Sequence, residues 1–518
     1  MGIPSYFSYI IKNYSNIIQN CENIKEHIAK FHYLFMDCNS IIYDEFRKLE
    51  ENIPKNTSKE DIEKLLISNI INKIIEYIHF IKPSQLVFIA FDGVAPLSKM
   101  EQQRNRRFKV SMSSKIDSMI KSEQKESIWS TSNITPGTKF MNELSKRIRN
   151  SFSNLENHFQ VKNIIVSGSD ERGEGEHKIF QYIRQSKILN SSNCCVYGLD
   201  SDLIMLSLFH RKFFENLFVF RETPEFGKQI IEKQNQESPY LFLSIPIFAN
   251  AMLHEMNCNA FDENRLYDYV FMCFLLGNDF LPHFPCLNIR TNGIDILLNT
   301  YRNIIGKHGN RSFISHDLTI LWKWVFLFFQ ELAKNEHSNL LAEYELKKKH
   351  SKRKWEVNDE PSRELTLSSV PSILRSEELY ISPDQQYWEH RYYKTLFNRH
   401  VKVKDICINY LEGLEWVFKY YTQSCPNWKW KYNYHYPPLM KDLLYHIPKK
   451  TTQLIDKNDH SFSPLVQLSY VLPIKYHNLL PEYVQEKLQS FVKEYYNKEI
   501  EYQWAFCRYF LGSTCLFT

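Results

Sequence analysis

Through residues 1–310, short apolar runs alternate with longer stretches whose apolar residues recur every three or four positions. Four runs stand out: YLFMDC (33–38), QLVFIAFDG (85–93), VKNIIVSG (161–168) and CCVYGLD (194–200). Each is rich in Val, Ile, Phe, Tyr or Leu, and a helix-like stretch separates it from the next. Residues 57–80, for instance, carry Ile62, Leu65, Leu66, Ile70, Ile74 and Tyr77 at helical spacing. The pattern predicts βαβ units and an α/β fold with a mainly parallel central sheet, buried on both faces and flanked by helices.

The pattern then changes. The most apolar stretch, around 319–333, is interrupted by Lys323 and Gln330 and is too short to span a bilayer. The strongly basic ELKKKHSKRK (345–354) and the polar NDEPSRE after it read as an exposed connector, with a nuclear localisation signal as the second reading. Residues 400–438 are apolar and aromatic again. Three regions are therefore expected: 1–310, a variable insertion or connector over 311–399, and a second packed region over 400–518.

Composition narrows the class. The chain has 518 residues, 43% hydrophobic and 24% charged, an ordinary globular mix with room for two to four domains or one large core. A net charge of +5 is too small to name a partner, so the arrangement of charges must do so. The eleven cysteines are scattered with no CxxC pair, and the adjacent Cys194 and Cys195 lie inside an apolar run. That usage predicts reduced thiols, a cytosolic or nuclear compartment and no zinc site. The N-terminal MGIPSYFSYI lacks the form of a signal peptide and, with Tyr6, misses the myristoylation pattern. Secreted and membrane classes are set aside.

In open α/β sheets ligands bind beyond the carboxyl ends of the strands, and here those ends carry acids. The first run ends in Asp37 and the second in Asp92; the fourth ends in Asp200, with Asp202 two residues on. After the third comes SGSDERGEGEHK (167–178), which puts Glu174 and Glu176 at the start of a helix whose apolar face holds Ile179, Phe180 and Ile183. Asp170 and Glu171 read as loop residues. A further acid, Asp279, follows the buried-looking YDYVFMCFLLGN (267–278). One acid at a strand end is commonly a cap or turn residue. Six at one edge would repel one another unless cations neutralised them. Oxygen ligands without His or Cys point to Mg²⁺ or Mn²⁺, and a cluster large enough for two ions suits phosphodiester cleavage.

Directly after Asp92 runs GVAPLSKMEQQRNRRFK (93–109). Lys99, Gln103, Arg106 and Arg107 are spaced i, i+4, i+7, i+8, one face of a helix. Alone this would be a solvated face. Its position behind a tight turn and a metal-ligand candidate suits it to a terminal phosphate, with forked hydrogen bonds from Arg and a point charge from Lys.

At these residues the chain resembles the Xrn family of 5′→3′ exoribonucleases, within the flap-endonuclease-like (PIN-like) superfamily. The matching stretches are MGIPSYF, MDCNSII (36–42), FDGVAPLSKMEQQRNRRFK (91–109), SNITPGTKFM (132–141), GEGEHKI (173–179), YGLDSDLIML (197–206) and VFMCFLLGNDFLPHFP (270–285). A second block resembles the family's other shared region, a helical and aromatic-rich one: YLEGLEWVFKYYTQSCPNWKWKYNYHYPP (410–438) and LVQLSYVLPIKYHNLLP (465–481). The resemblance implies a nuclease core at 1–310 and a second conserved region at 400–518 packed on it. It assigns Asp37, Asp92, Glu174, Glu176, Asp200, Asp202 and Asp279 to the metal site, and Lys99, Gln103, Arg106 and Arg107 to a 5′-monophosphate pocket. Where the family has a His that stacks on the first base, this chain has Tyr43; the aromatic partner falls on Trp428 or Trp430. Further C-terminal domains of large members are expected to be lacking. The implied activity is processive hydrolysis of uncapped, 5′-monophosphorylated single-stranded RNA to nucleoside 5′-monophosphates with two Mg²⁺ (or Mn²⁺) ions. The implied setting is cytoplasmic mRNA decay, with a decapping factor as candidate partner and the nucleus as the alternative site. Two rivals remain: a structure-specific DNA 5′ nuclease of the same superfamily and a non-catalytic RNA-binding scaffold.

Overall fold

The computed structural model describes residues 2–19, 24, 28, 30–54, 57–121, 129–224, 239–257, 262–352, 376–397, 400–491, 500–503 and 514–517. The four runs read as strands form β2 (Tyr33–Asp37), β3 (Leu86–Ala90), β4 (Asn163–Ser167) and β5 (Asn193–Tyr197). With β1 (Ile18–Gln19), β6 (Asn216–Glu222) and β7 (Tyr240–Ser244) they make one sheet in the order β1-β7-β6-β5-β2-β3-β4. Strands β2 to β6 run parallel; β7 is antiparallel to β6, and β1 to β7. The sequence reading has no β6 or β7. The reason for β7 is local: it runs without a loop into a helix capped by Ser244, so YLFLSIPIFANAM reads as one stretch interrupted only by Ser244 and Asn250.

Successive strand residues point to opposite faces, and both faces are apolar. Leu34, Met36, Val87, Ile89, Cys195 and Tyr197 enter one core; Phe35, Phe88, Cys194 and Val196 enter the other. The adjacent cysteines therefore serve two different cores, and Cys38, Cys194, Cys195, Cys273, Cys286, Cys407 and Cys425 are buried and free. The first core is closed by α2 (Asn39–Glu50), α3 (Lys59–Ile81) and α5 (Lys139–Phe152), with α4 (Leu97–Lys121) leaving β3 between α3 and α5 in the chain. The second is closed by α1 (Tyr6–Asn13), α6 (Gly175–Gln185), α7 (Asp202–His210), α8 (Ile245–Glu255) and α9 (Glu263–Cys273). Ser58 caps α3 by accepting the Asp61 amide, and Ile62, Leu66, Ile70, Ile74 and Tyr77 are buried along it. Leu65, grouped with them by spacing, is instead 48% exposed.

The remaining described elements extend the second core. α10 (Trp322–Ser351), α11 (Val403–Thr422) and α12 (Pro464–Val471) follow in the chain. Phe418 and Tyr421 of α11 pack edge-on against Phe271 and Phe274, and Trp416 against Phe280. Phe313, Trp322, Phe328, Trp388 and Tyr392, from the stretch read as a connector, join the same core. The basic segment is helical as far as Ser351, forming the last turns of α10; Glu345, Leu346, Lys348 and Lys349 are exposed, while Lys347 is buried 3.9 Å from Glu378. Ala, Leu, Glu and Lys sustain a helix well, and lysine stems cover apolar surface. Residues 353–375 lie outside the described residues. No described helix is long and apolar enough to cross a membrane.

Candidate active site

The chain order of the sheet reverses between β2 and β5: β3 and β4 lie to one side, β6 to the other. The crevice beyond the carboxyl ends of these strands is the place an open α/β sheet offers a ligand. Asp37 is the last residue of β2, Asp92 follows β3 by two residues, and Asp200 follows β5 by three. Glu174 is the N-cap of α6 and Glu176 lies in its first turn, while Asp202 opens α7. Asp279 comes from the turn after α9, where Gly277 takes φ 83°.

Two glycines let these loops close. A Cβ on Gly93 would lie 1.6 Å from the Glu171 carbonyl oxygen. Its absence lets the two loops pair, the Gly93 amide donating to Gly173 O (2.8 Å) and the Gly173 amide to Val94 O (2.7 Å). A Cβ on Gly175 would lie 2.5 Å from Asp37 Oδ1, and the Gly175 amide donates to Asp92 Oδ1 at 2.7 Å. Asp170 and Glu171, read as loop residues, pair with Arg149 outside the site. Lys178 is buried below the loop and donates to Phe91 O and Gly168 O; burial lowers its pKa to about 8.

Asp37, Asp92 and Glu176 bring one oxygen each within 4.8 Å of one another, close enough to share a cation, and Glu174, Glu176 and His177 form a second such group. Asp200, Asp202 and Asp279 lie outside both groups. Asp200 is exposed; Asp202 is buried. Burial, then Asp92 and Asp200, push the Asp37 carboxyl well up; burial, then Glu174, do the same to Glu176. Burial raises Glu174 against the pull of Lys99, and takes Asp202 to about 6. Asp37 Oδ1 is buried with no hydrogen-bond partner. An orphaned carboxylate oxygen in the all-oxygen group of Asp37, Asp92 and Glu176 fits a hard divalent cation. Glycine at 175 is what keeps that space open.

Lys99, in the first turn of α4, lies among the acids rather than on an open face. Its ammonium is 2.5 Å from Glu174 Oε2 and 2.8 Å from Asp279 Oδ2. Burial opposes the charge on all three. Nevertheless Asp279 and Glu174 hold the lysine well above its ordinary value, and Lys99 holds Asp279 below its own. Gln103 is buried one turn further along α4, and Arg106 is exposed. Arg107 donates Nη2 to Ile134 O at 3.1 Å, its Nε is buried without a partner, and burial brings its pKa down to about 10. Tyr43 is half-buried on α2 against the first core. Trp428 lies beneath the Arg172 guanidinium and accepts the Leu97 amide on its carbonyl (2.9 Å), beside the turn that starts α4. Trp430 stacks on Trp416 (5.3 Å) and donates to Glu412 at 3.3 Å.

Sequence reasoning missed two contributors. The Tyr420 hydroxyl donates to Glu174 Oε1 and the Tyr421 hydroxyl to Asp202 Oδ1, both at 2.7 Å. His177 stacks on Tyr420 at 3.6 Å, and burial keeps its imidazole neutral. The only signal in the sequence was the tyrosine pair itself, inside the second conserved block.

Residues 1–223 match the family model described as the XRN 5′-3′ exonuclease N-terminus; residues 260–377 and 382–510 match that of the Xrn1 helical domain. 5′-3′ exoribonuclease 1 of Saccharomyces cerevisiae is 27% identical, over 97% of this chain and 41% of its own length. The Homo sapiens 5′-3′ exoribonuclease 1 is 29% identical over 96% of this chain and 32% of its own. The Gallus gallus 5′-3′ exoribonuclease 2 is 28% identical over 93% and 64%. The chain thus spans from 32% to 64% of the length of these relatives.

Proposed function

The chain belongs to the Xrn family of 5′→3′ exoribonucleases, and on that premise we propose that it hydrolyses uncapped single-stranded RNA processively from a 5′-monophosphate end, releasing nucleoside 5′-monophosphates. The observation that carries this reading is the meeting of Asp37, Asp92 and Glu176 within reach of one cation, beside the start of α4. Asp37, Asp92, Glu174, Glu176, Asp200, Asp202 and Asp279 would hold two Mg²⁺ or Mn²⁺ ions. Divalent ions, when bound, acidify the attacking water and offset charge building on the phosphate and the leaving oxygen. Lys99, Gln103, Arg106 and Arg107 bind the terminal phosphate, which a cap or triphosphate would overfill. Tyr43 and one of Trp428 and Trp430 stack on the first base, a contact that any base can make. Tyr420 and Tyr421 fix the rotamers of Glu174 and Asp202. Cytoplasmic turnover of decapped mRNA is the setting that matches such a substrate.

The test is degradation of 5′-phosphorylated RNA in Mg²⁺, with EDTA as control and a 5′ flap DNA alongside. Shortening of the RNA to mononucleotides, lost in EDTA, is expected. Preference for the flap DNA would make the protein a structure-specific DNA nuclease. Binding of RNA with no shortening in Mg²⁺ would make it a scaffold.

A further inference from the structure

The helix proposed to receive the terminal phosphate is gripped along one side by the second conserved region. Lys431 pairs with Glu101 at 3.0 Å, Tyr470 donates its hydroxyl to the same carboxylate, and Arg104 donates to the Tyr470 carbonyl. At the centre of this contact lies Gln467 of α12, fully buried. Its Oε1 accepts the amide of Ala95 at 2.8 Å, in the GVAP turn that leads into α4. Its Nε2 donates to Gln103 Oε1 at 3.2 Å.

These two contacts have a direction. A backbone N–H can only donate, so the side chain facing Ala95 must present its oxygen. The other end of Gln467 is then its NH₂, and only an oxygen of Gln103 can meet it. Gln103 is held with its carbonyl turned inward, and its own NH₂, a pair of donors, is the end left to face a ligand. The orientation follows from chemistry and does not depend on how either amide is assigned. A flipped Gln103 would offer an acceptor to an anion and repel it. Gln103 lies one helical turn from both Lys99 and Arg107, on the same face.

We propose that Gln467 is a positioning residue for 5′-end selection: it relays the polarity of the Ala95 amide through Gln103, so that a terminal phosphate meets a donor. The proposal rests on the reading of Lys99, Gln103, Arg106 and Arg107 as the phosphate site. Its scope is the choice between 5′ ends and not the hydrolytic step.

The experiment measures, on the full chain in Mg²⁺, kcat/KM for two RNAs differing only in a 5′-monophosphate or 5′-hydroxyl end. Gln467→Glu keeps an acceptor for Ala95 but presents a second acceptor to Gln103, which must then turn its NH₂ inward. The monophosphate-to-hydroxyl ratio is expected to fall about tenfold, with the loss in KM rather than kcat. Gln467→Met, neutral and of similar length, removes the relay without reversing it and should lower the ratio about threefold. It serves on its own if the Glu variant does not fold. In a Gln103→Ala background neither substitution should lower the ratio further, because the group being oriented is gone. An undiminished loss in that background, or an unchanged ratio in the single variants, overturns the proposal. Arg106→Ala separates the two levels. If it leaves the ratio unchanged, the phosphate-site reading fails and the relay with it; if it lowers the ratio while the Gln467 variants do not, the relay alone fails.

Discussion

Tyr420 and Tyr421 are neighbours in sequence, yet each donates a hydrogen bond to a different carboxylate, about 100° apart around α11. A phenol on one carboxylate oxygen leaves the other oriented for a cation, and loss of such support costs roughly 10–100-fold in metal affinity or activity. Tyr420→Phe and Tyr421→Phe are therefore expected to weaken Mn²⁺ binding by calorimetry and raise the Mg²⁺ needed for half-maximal turnover, with the melting temperature little changed. Asp202→Ala, which removes a proposed ligand itself, is expected to abolish turnover in a folded protein. At this scale Asp37, Asp92 and Asp200 were legible because they stand at the ends of apolar runs on one sheet edge, whereas Asp279 was placed by the family resemblance. The tyrosines were not. An aromatic pair in an apolar block reads as core, and their partners lie 246 and 219 residues away. Gln467 was hidden for the same reason: a lone amide carries no periodic or charge signal, and its partners are 372 and 364 residues distant.

Elements were legible where one physical cause dominated. α3 combines a Ser58 cap with a buried stripe, and spacing alone placed it within a residue or two. Spacing did not separate Leu65 from Leu66, which differ by about 100° around the helix and end on opposite sides of the boundary with solvent. Leu66→Ala should cost about 2–5 kcal/mol and Leu65→Ala within about 0.5 kcal/mol, read by urea denaturation. Equal costs would mean that the helix is rotated from the orientation described. β7 escaped notice because it flows straight into α8 with only Ser244 between the apolar residues of the two. At the end of α10 the three consecutive lysines divide: Lys348 and Lys349 are exposed, as a charge run suggests, while Lys347 turns inward toward Glu378 and the helix continues.

For the whole molecule, the second core runs from α1 through α9 to α11 and on to the helix Met440–Leu444. Two of the proposed metal-binding acids, Glu174 and Asp202, are thus held by a region far along the chain from the sheet. Asp268, at the heart of this core, accepts the Tyr301 hydroxyl (2.6 Å) and the amides of Phe313 and Ile314. Burial nevertheless pushes its carboxyl up to about 7. Between its unfolded value of about 3.9 and about 7, the folded protein keeps a proton that the unfolded chain has released. Its contribution to stability is complete below the lower value and is lost as the pH rises through the upper one. Asp268→Asn should flatten that part of the pH–stability curve, measured by chemical denaturation from pH 4 to 8. An unchanged slope would mean that Asp268 is already ionised in the fold.

Lys99 places a single ammonium between Glu174 and Asp279, at the boundary of the acid cluster and the helix that follows Asp92. One positive charge therefore has two prospective employers. Divalent ions held by the two carboxylates would free it for the terminal phosphate proposed to bind beside it, and a phosphate drawing it away would favour ions at those carboxylates. Thermodynamic reciprocity makes the two effects equal in size. A short RNA with a 5′-phosphate should tighten Mn²⁺ binding by the same factor that Mn²⁺ tightens the RNA, and Lys99→Met should shrink both factors together. The protein would then be armed by ions and by its proper substrate jointly, and by neither alone.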